Sequence, residues 1–117
     1  PNDLDLENVA EEIGDVGTAQ RSAAESHIRQ IFVHFIKLAT APQSSAASHW
    51  RGEIVTVHNE LLQRLAPSMH ARIDLDTLWR RALKEAAARL SAEERTSGFA
   101  IADRRVSPLR IEDLARE

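Results

Sequence analysis

Two apolar stripes at helical spacing, joined by a loop that contains Pro42, constrain the fold of this chain more than any other feature. Apolar residues recur every three or four positions on both sides of the loop, and only an α-helix brings residues at such spacing to one side. Two helices joined by so short a loop are expected to pack antiparallel. The stripes are Ala24, Ile28, Ile31, Phe35 and Leu38 before the loop, and Ala47, Trp50, Ile54, Val57, Leu61 and Leu65 after it. We expect one buried cluster between these helices, formed by Ile31, Phe35, Trp50, Ile54 and Val57.

The segment before the first stripe is also predicted to be helical, because Leu6, Val9 and Ile13 follow helical spacing over residues 5–15. Gly14 and Gly17 weaken this helix, each by about 1 kcal/mol relative to alanine in a helix interior. The helix therefore either breaks there or continues, kinked, into a second helix that reaches about residue 39.

The second half of the chain adds two predicted helices. The third helix should end before Pro67, because the residue preceding a proline is excluded from the α region. Asp74 or Asp76 is expected to cap a fourth helix, whose apolar face includes Trp79, and the dipeptide 107–108 (Ser-Pro) to begin a short last one. The prediction is an all-α bundle of four main helices plus a short C-terminal helix, in a single helical domain over residues 1–117.

Charge is distributed unevenly along the chain. The net charge is −3, which argues against nonspecific nucleic-acid binding, since phosphate neutralisation needs clustered cations. Residues 1–20 hold six carboxylates and no Lys or Arg, so this segment carries −6 and the rest carries +3. Carboxylates near a helix N-terminus, together with a solvated face, explain the segment more simply than an acidic docking patch.

The sequence also bounds the cellular setting. No cysteine is present, which excludes disulfides, thiolate nucleophiles and Cys-based metal sites and fits a reducing compartment. No apolar run approaches the roughly 18 residues that a membrane span needs, and no signal peptide is recognisable. We therefore expect a cytoplasmic protein without a membrane partner. The chain begins at Pro1 rather than at a methionine, so the domain is either complete or lacks an N-terminal helix.

One set of residues has the composition of a metal or acid–base site. On heptad positions, His27 and His34 flank the first stripe, and Glu53 and Glu60 flank the second. Antiparallel pairing through the Pro42 loop brings His34 near Glu53, and His27 near Glu60. Two imidazoles and two carboxylates suit a divalent transition metal or acid–base chemistry. The simpler interpretation is that these residues border the core and bond to one another or to the backbone. In either interpretation, the carboxylate is expected to raise the pKa of His34.

Trp50 and Arg51 form a second, smaller candidate site. An indole next to a guanidinium can bind an anionic or planar ligand, so these two residues are the candidate ligand-binding pair. Trp50 also lies on an apolar helical face, which favours a role as a core anchor, with Arg51 as a solvated residue at its rim.

Several segments, in order, resemble the bacterial family called domain of unknown function 29. These are residues 6–17 (Leu-Glu-Asn-Val-Ala-Glu-Glu-Ile-Gly-Asp-Val-Gly), 34–38 (His-Phe-Ile-Lys-Leu) followed by Pro42, 50–54 (Trp-Arg-Gly-Glu-Ile) and 79–88. The resemblance implies an all-helical fold and a bacterial origin, and it implies no reaction. This chain departs from the family in lacking a tryptophan-containing helix before the acidic segment, and in having Leu38 where an aromatic residue is common.

These observations favour a non-enzymatic helical interaction module that self-associates, with a dimer as the preferred state and no cofactor. A protein partner other than a second copy is also compatible with this prediction. Leu6, Val9 and Ile13 are the candidate interface residues, because a missing preceding helix would leave their apolar side uncovered. The alternative is a metal-dependent activity at the cluster of His27, His34, Glu53 and Glu60.

Overall fold

The computed structural model describes the backbone of residues 2–90 and 107–116, and the side chains from residue 17 onward within these ranges. This part of the chain is helical and contains no strand, which confirms the predicted all-α class. The elements in chain order are α1 (Asn2–Thr40), α2 (Ala47–Arg64), a 3-10 helix (Pro67–Arg72), α3 (Leu75–Arg89) and the short α4 (Ile111–Leu114).

Helix α1 joins the first two predicted helices into one helix of 39 residues. The expected weakening at Gly14 and Gly17 does not interrupt it. The predicted count of four main helices is not confirmed, since three α-helices longer than ten residues lie within the described ranges. Two glycines add only about 2 kcal/mol of unfavourable propensity, and a long helix that is packed elsewhere can accommodate this.

Helices α1 and α2 pack antiparallel, as predicted. His27 contacts Glu60 near one end of the pair, and Lys37 lies over the ring of Trp50 near the other. In the connecting loop, the Ser44 hydroxyl accepts a hydrogen bond from the amide of Ala46 at 3.2 Å. Helix α2 ends at Arg64, and Pro67 takes the first position of the 3-10 helix, where its missing amide proton removes no bond.

The core lies around the C-terminal half of α1, because both α2 and α3 pack on this helix. Phe32 of α1 and Trp79 of α3 are fully buried and meet edge to face, with ring centres 5.2 Å apart. Such pairs add about 0.5–1.5 kcal/mol beyond the burial of their area. The remaining buried residues of this core include Ala24, Ile28, Ile31, Val33, Ile36, Val57, Leu61, Met69, Ile73, Leu78, Ala82, Ala86 and Leu114.

The predicted cluster between the two stripes is only partly correct. Ile31 and Val57 belong to the main core, and Ile54 packs against it. Phe35 was expected to be buried, but 37% of it is exposed, although its ring centre is still 6.4 Å from that of Trp79. Trp50 lies in a separate, smaller cluster near the loop, with Ala41, Ala47 and Leu90. A helix packed on two sides buries residues between its heptad positions, so Phe32 takes the place predicted for Phe35.

Helix α3 follows its prediction closely. Asp74 caps it, accepting a hydrogen bond from the amide of Thr77 at 3.2 Å. Leu78, Trp79, Ala82 and Ala86 are its buried face.

The C-terminal segment packs against the core through α4, whose Leu114 is buried. Helix α4 begins after Arg110, so Pro108 does not occupy its first turn. Within the described residues, no helix combines the length and apolar character needed to cross a lipid bilayer.

Phe32 and Phe35 provide a matched test of this packing, since both are phenylalanines on the same helix. Phe32→Ala should lower the free energy of unfolding by about 3–5 kcal/mol, because it leaves a cavity against Trp79. Phe35→Ala should lower it by less than about 2 kcal/mol, because part of its ring already contacts water. Urea unfolding at one fixed protein concentration measures both, and equal losses would contradict the described core.

Candidate functional site

The pairing of His27 with Glu60 is confirmed. The Nε2 atom of His27 lies 3.0 Å from a carboxylate oxygen of Glu60, and its Nδ1 atom lies 2.6 Å from the carbonyl oxygen of Ala23. Both contacts are hydrogen bonds only when both ring nitrogens carry protons. The Glu60 side chain is 56% exposed, so solvent screens this pair and it contributes little stability.

The second predicted pair behaves differently. No hydrogen bond joins His34 to Glu53 in the described structure, and the buried Nδ1 atom of His34 has no hydrogen-bond partner there. Burial, together with the nearby Lys37 ammonium, lowers the pKa of His34 below its usual value of 6.5, against the opposing effect of Glu53. The expectation that a carboxylate raises this pKa is therefore wrong, because desolvation of the charged ring outweighs its attraction to Glu53.

The four predicted metal ligands do not form one group. The two His–Glu pairs are seven residues apart on each helix, which separates them by about 10 Å along the axis. In the described ranges, no three or more His, Asp or Glu side chains are placed to hold a metal ion. The arrangement offers one solvated His–Glu pair and one half-buried imidazole.

Trp50 and Arg51 point to different environments. Only 7% of Trp50 is exposed, and the Lys37 ammonium lies 5.8 Å from the centre of its ring, within range of a cation–π interaction. Arg51 is exposed on the outer side of α2. The buried indole anchors the cluster near the loop and leaves no open face for a ligand.

Glu85 is a polar residue that the sequence argument missed. Its carboxylate bonds to the guanidinium of Arg29 on α1 and, at 2.9 Å, to that of Arg89 on its own helix. The spacing of Glu85 and Arg89, four residues apart on a helix, was a signal that could have identified this pair. The bond to Arg29 depends on how α3 packs on α1, which no local pattern specifies.

Two other missed residues hold the C-terminal segment in place. His58 donates from Nε2 to the carbonyl oxygen of Leu114 at 2.9 Å, and Asp76 accepts from the amide of Ser107 at 2.8 Å. These bonds fix a segment that is distant in sequence, so their role in the structure is to position the chain.

The N-terminal half of α1 carries the predicted interface residues. Leu6, Val9 and Ile13 fall within this helix, but their side chains lie outside the described residues. The first described side chains belong to residues 17–20, and all four are exposed. Beside them, a groove of about 460 Å³ separates α1 from the 3-10 helix, and its lining includes Arg21, Met69 and Arg72.

Comparisons with known proteins agree with the fold and name no activity. The family described as domain of unknown function DUF29 matches residues 1–103, which confirms the resemblance found in the sequence. An alpha-helical protein of unknown function from Rhodospirillum rubrum, known from a crystal structure, is 39% identical, with a TM-score of 0.84. That match covers 100% of this chain and 73% of the other chain. No curated protein matches.

His34 makes the stability of the fold depend on pH in a defined direction. Since its folded-state pKa lies below the unfolded value, its stabilising contribution is complete above about pH 6.5 and is lost as pH falls through the folded pKa. His34→Gln should therefore reduce the loss of stability between about pH 7.5 and pH 5.

His70→Gln, in the 3-10 helix, is the control and should leave the loss unchanged. Urea unfolding at both pH values measures the effect. An NMR titration that places the His34 pKa above 6.5 would contradict burial as the dominant influence on this ring.

Proposed function

We propose that this chain, which belongs to the family described as domain of unknown function DUF29, is a non-enzymatic helical interaction module that self-associates as a two-fold dimer. We include in the proposal a single helical domain, a bacterial origin and a cytoplasmic location. The core that joins α1, α2, α3 and Leu114 of α4 supports one domain. The Rhodospirillum rubrum neighbour supports the proposed bacterial origin, and the cysteine-free sequence supports the proposed cytoplasmic location.

The observation that carries this proposal is the open turn at residues 17–20 of α1. Four consecutive exposed residues span one full helical turn, so no side of the helix is buried there. Nevertheless, α1 continues for 15 more residues to Asn2, a length of about 22 Å.

A helix of this length is marginal in water by itself, and helices in proteins are stabilised mainly by packing of an apolar face. The sequence spacing of Leu6, Val9 and Ile13 supplies such a face. A second copy that packs along this segment would cover this apolar face, and a two-fold dimer is the commonest arrangement of identical chains.

Three of the residues that suggested chemistry have structural roles, which supports the same proposal. His27 and Glu60 bridge α1 and α2 at the surface, and Trp50 fills the cluster near the loop. A surface for association therefore accounts for more of the molecule than a reaction centre does.

Two valines on helices provide the test. Val9→Gln should weaken the dimer on the order of 100-fold, since burying a valine contributes about 1.5 kcal/mol and the two-fold axis applies the change twice. Val55→Gln is the matched control, because Val55 on α2 is 61% exposed and should leave the dimer unchanged. Sedimentation equilibrium of both variants and the unmodified chain measures the dissociation constants. A monomeric unmodified chain at tens of micromolar would contradict the proposal.

A further inference from the structure

The groove between α1 and the 3-10 helix is lined by apolar, polar and cationic residues. Met69 and Ala66 are its apolar residues, and Arg21 and Arg72 are its two cations. Among the described residues that line this groove, none is acidic. The groove lies beside the open turn of α1. It therefore suits an acidic, amphipathic helix.

The chain itself contains a segment of this chemistry. Residues 1–20 carry six carboxylates and no Lys or Arg, and the apolar positions of residues 5–15 follow helical spacing. The backbone of residues 2–16 is helical and continuous with the open turn. Since this segment runs away from the groove along the axis of α1, it cannot fold back into the groove of its own chain without breaking the helix.

We propose that residues 2–16 of a second copy occupy the groove lined by Arg21, Met69 and Arg72, with the two α1 helices antiparallel across a two-fold axis. This inference rests on the proposed function and specifies which surfaces of the two copies meet. The acidic segment, whose simplest explanation from sequence was a solvated face, is then a docking segment.

Charge determines the direction of the two helices. A parallel arrangement would align two segments of charge −6 side by side, and like charges at such distances repel. An antiparallel arrangement instead sets each acidic segment beside the arginines of the other copy. With the axis near Gly14, the register aligns Arg21 with Glu7 of the partner subunit and with Glu11 of the partner subunit one turn away. By symmetry, each contact occurs twice.

Gly17 lies at the edge of the groove and has no packing role within the described chain. A Cβ atom added at Gly17 would meet no atom within 4 Å, and the same is true of Gly52 on α2. Glycine inside a helix is unfavourable, and close approach of a helix from a second copy would account for its presence at position 17. The two glycines therefore form a matched pair for substitution.

Gly17→Glu tests the proposal, with Gly52→Glu as its control. Each change adds one negative charge to a helix, and each should favour the helix, because glutamate is the better helix former. At position 17 the new carboxylate stands one turn before Arg21, where it would halve the positive charge of the groove and repel the partner's acidic segment. We expect Gly17→Glu to raise the dimer dissociation constant roughly tenfold and Gly52→Glu to leave it within about twofold.

A charge exchange identifies the occupant of the groove. Arg21→Glu with Arg72→Glu should weaken the dimer, and Glu7→Lys with Glu11→Lys should weaken it as well. The chain carrying all four substitutions should regain most of the affinity, because opposite charges face each other again. Arg51→Glu with Lys84→Glu is the control of equal charge at positions outside the groove.

The outcomes separate this inference from the proposed function. If the unmodified chain is a dimer but neither Gly17→Glu nor the exchange alters its affinity, the groove is not the contact, and the proposed self-association stands. If the unmodified chain is a monomer, both the groove contact and the proposed self-association fail. Circular dichroism checks that each variant folds. Where one does not, the dimer of the unmodified chain must still weaken between about 0.05 and 0.5 M NaCl, and an affinity independent of salt would overturn the charge pairing.

Discussion

The edge-to-face contact between Phe32 and Trp79 is the interaction on which the rest of this structure depends. It places α3 against one side of α1 at a point where both rings are fully buried. Helix α2 returns along another side, so α1 is enclosed between them from Ala24 onward. Leu114 of α4 joins the same core, which ties the C-terminal segment to it. Helix α1 takes part in every large helix–helix interface of the described bundle. Substitutions at its buried positions are therefore expected to affect the packing of the other helices.

The polar groups around this core follow from the same packing. Glu85 joins Arg29 on α1 to Arg89 on α3, which reinforces the α1–α3 contact from its edge. His34 is held between α1 and its neighbours, where burial outweighs the attraction of Glu53 and lowers its pKa. Trp50 and Lys37 contact each other at the end of the α1–α2 pair that lies near the loop. Glu85, Trp50 and Lys37 all contribute to packing between helices, which is why a surface is the basis of the proposed function.

Features encoded by neighbouring residues could be predicted from the sequence, and features that depend on two packed faces could not. Heptad spacing predicted the antiparallel α1–α2 pair and the adjacency of His27 and Glu60, because register across a short loop is set locally. The Asp74 cap and the buried face of Trp79 followed in the same way. Phe35 was assigned to the core because one apolar stripe implies packing against one neighbouring helix, whereas α1 packs against two. The predicted direction of the His34 pKa shift was wrong for a similar reason, since residue spacing reveals a nearby carboxylate but not how deeply the ring is buried.

We propose that the open turn of α1 and the segment before it are covered by α1 of a second copy in antiparallel orientation. Because the chain has no cysteine, a single spin label can be placed at Thr18→Cys or at Val55→Cys. Pulsed electron paramagnetic resonance then measures the distance between the labels of the two copies. An axis near Gly14 predicts about 15 Å between labels at position 18, and more than about 40 Å between labels at position 55, which lies in the middle of α2 and far from the axis. Labels that are closer at position 55 than at position 18, or no distance between copies at all, would contradict the account.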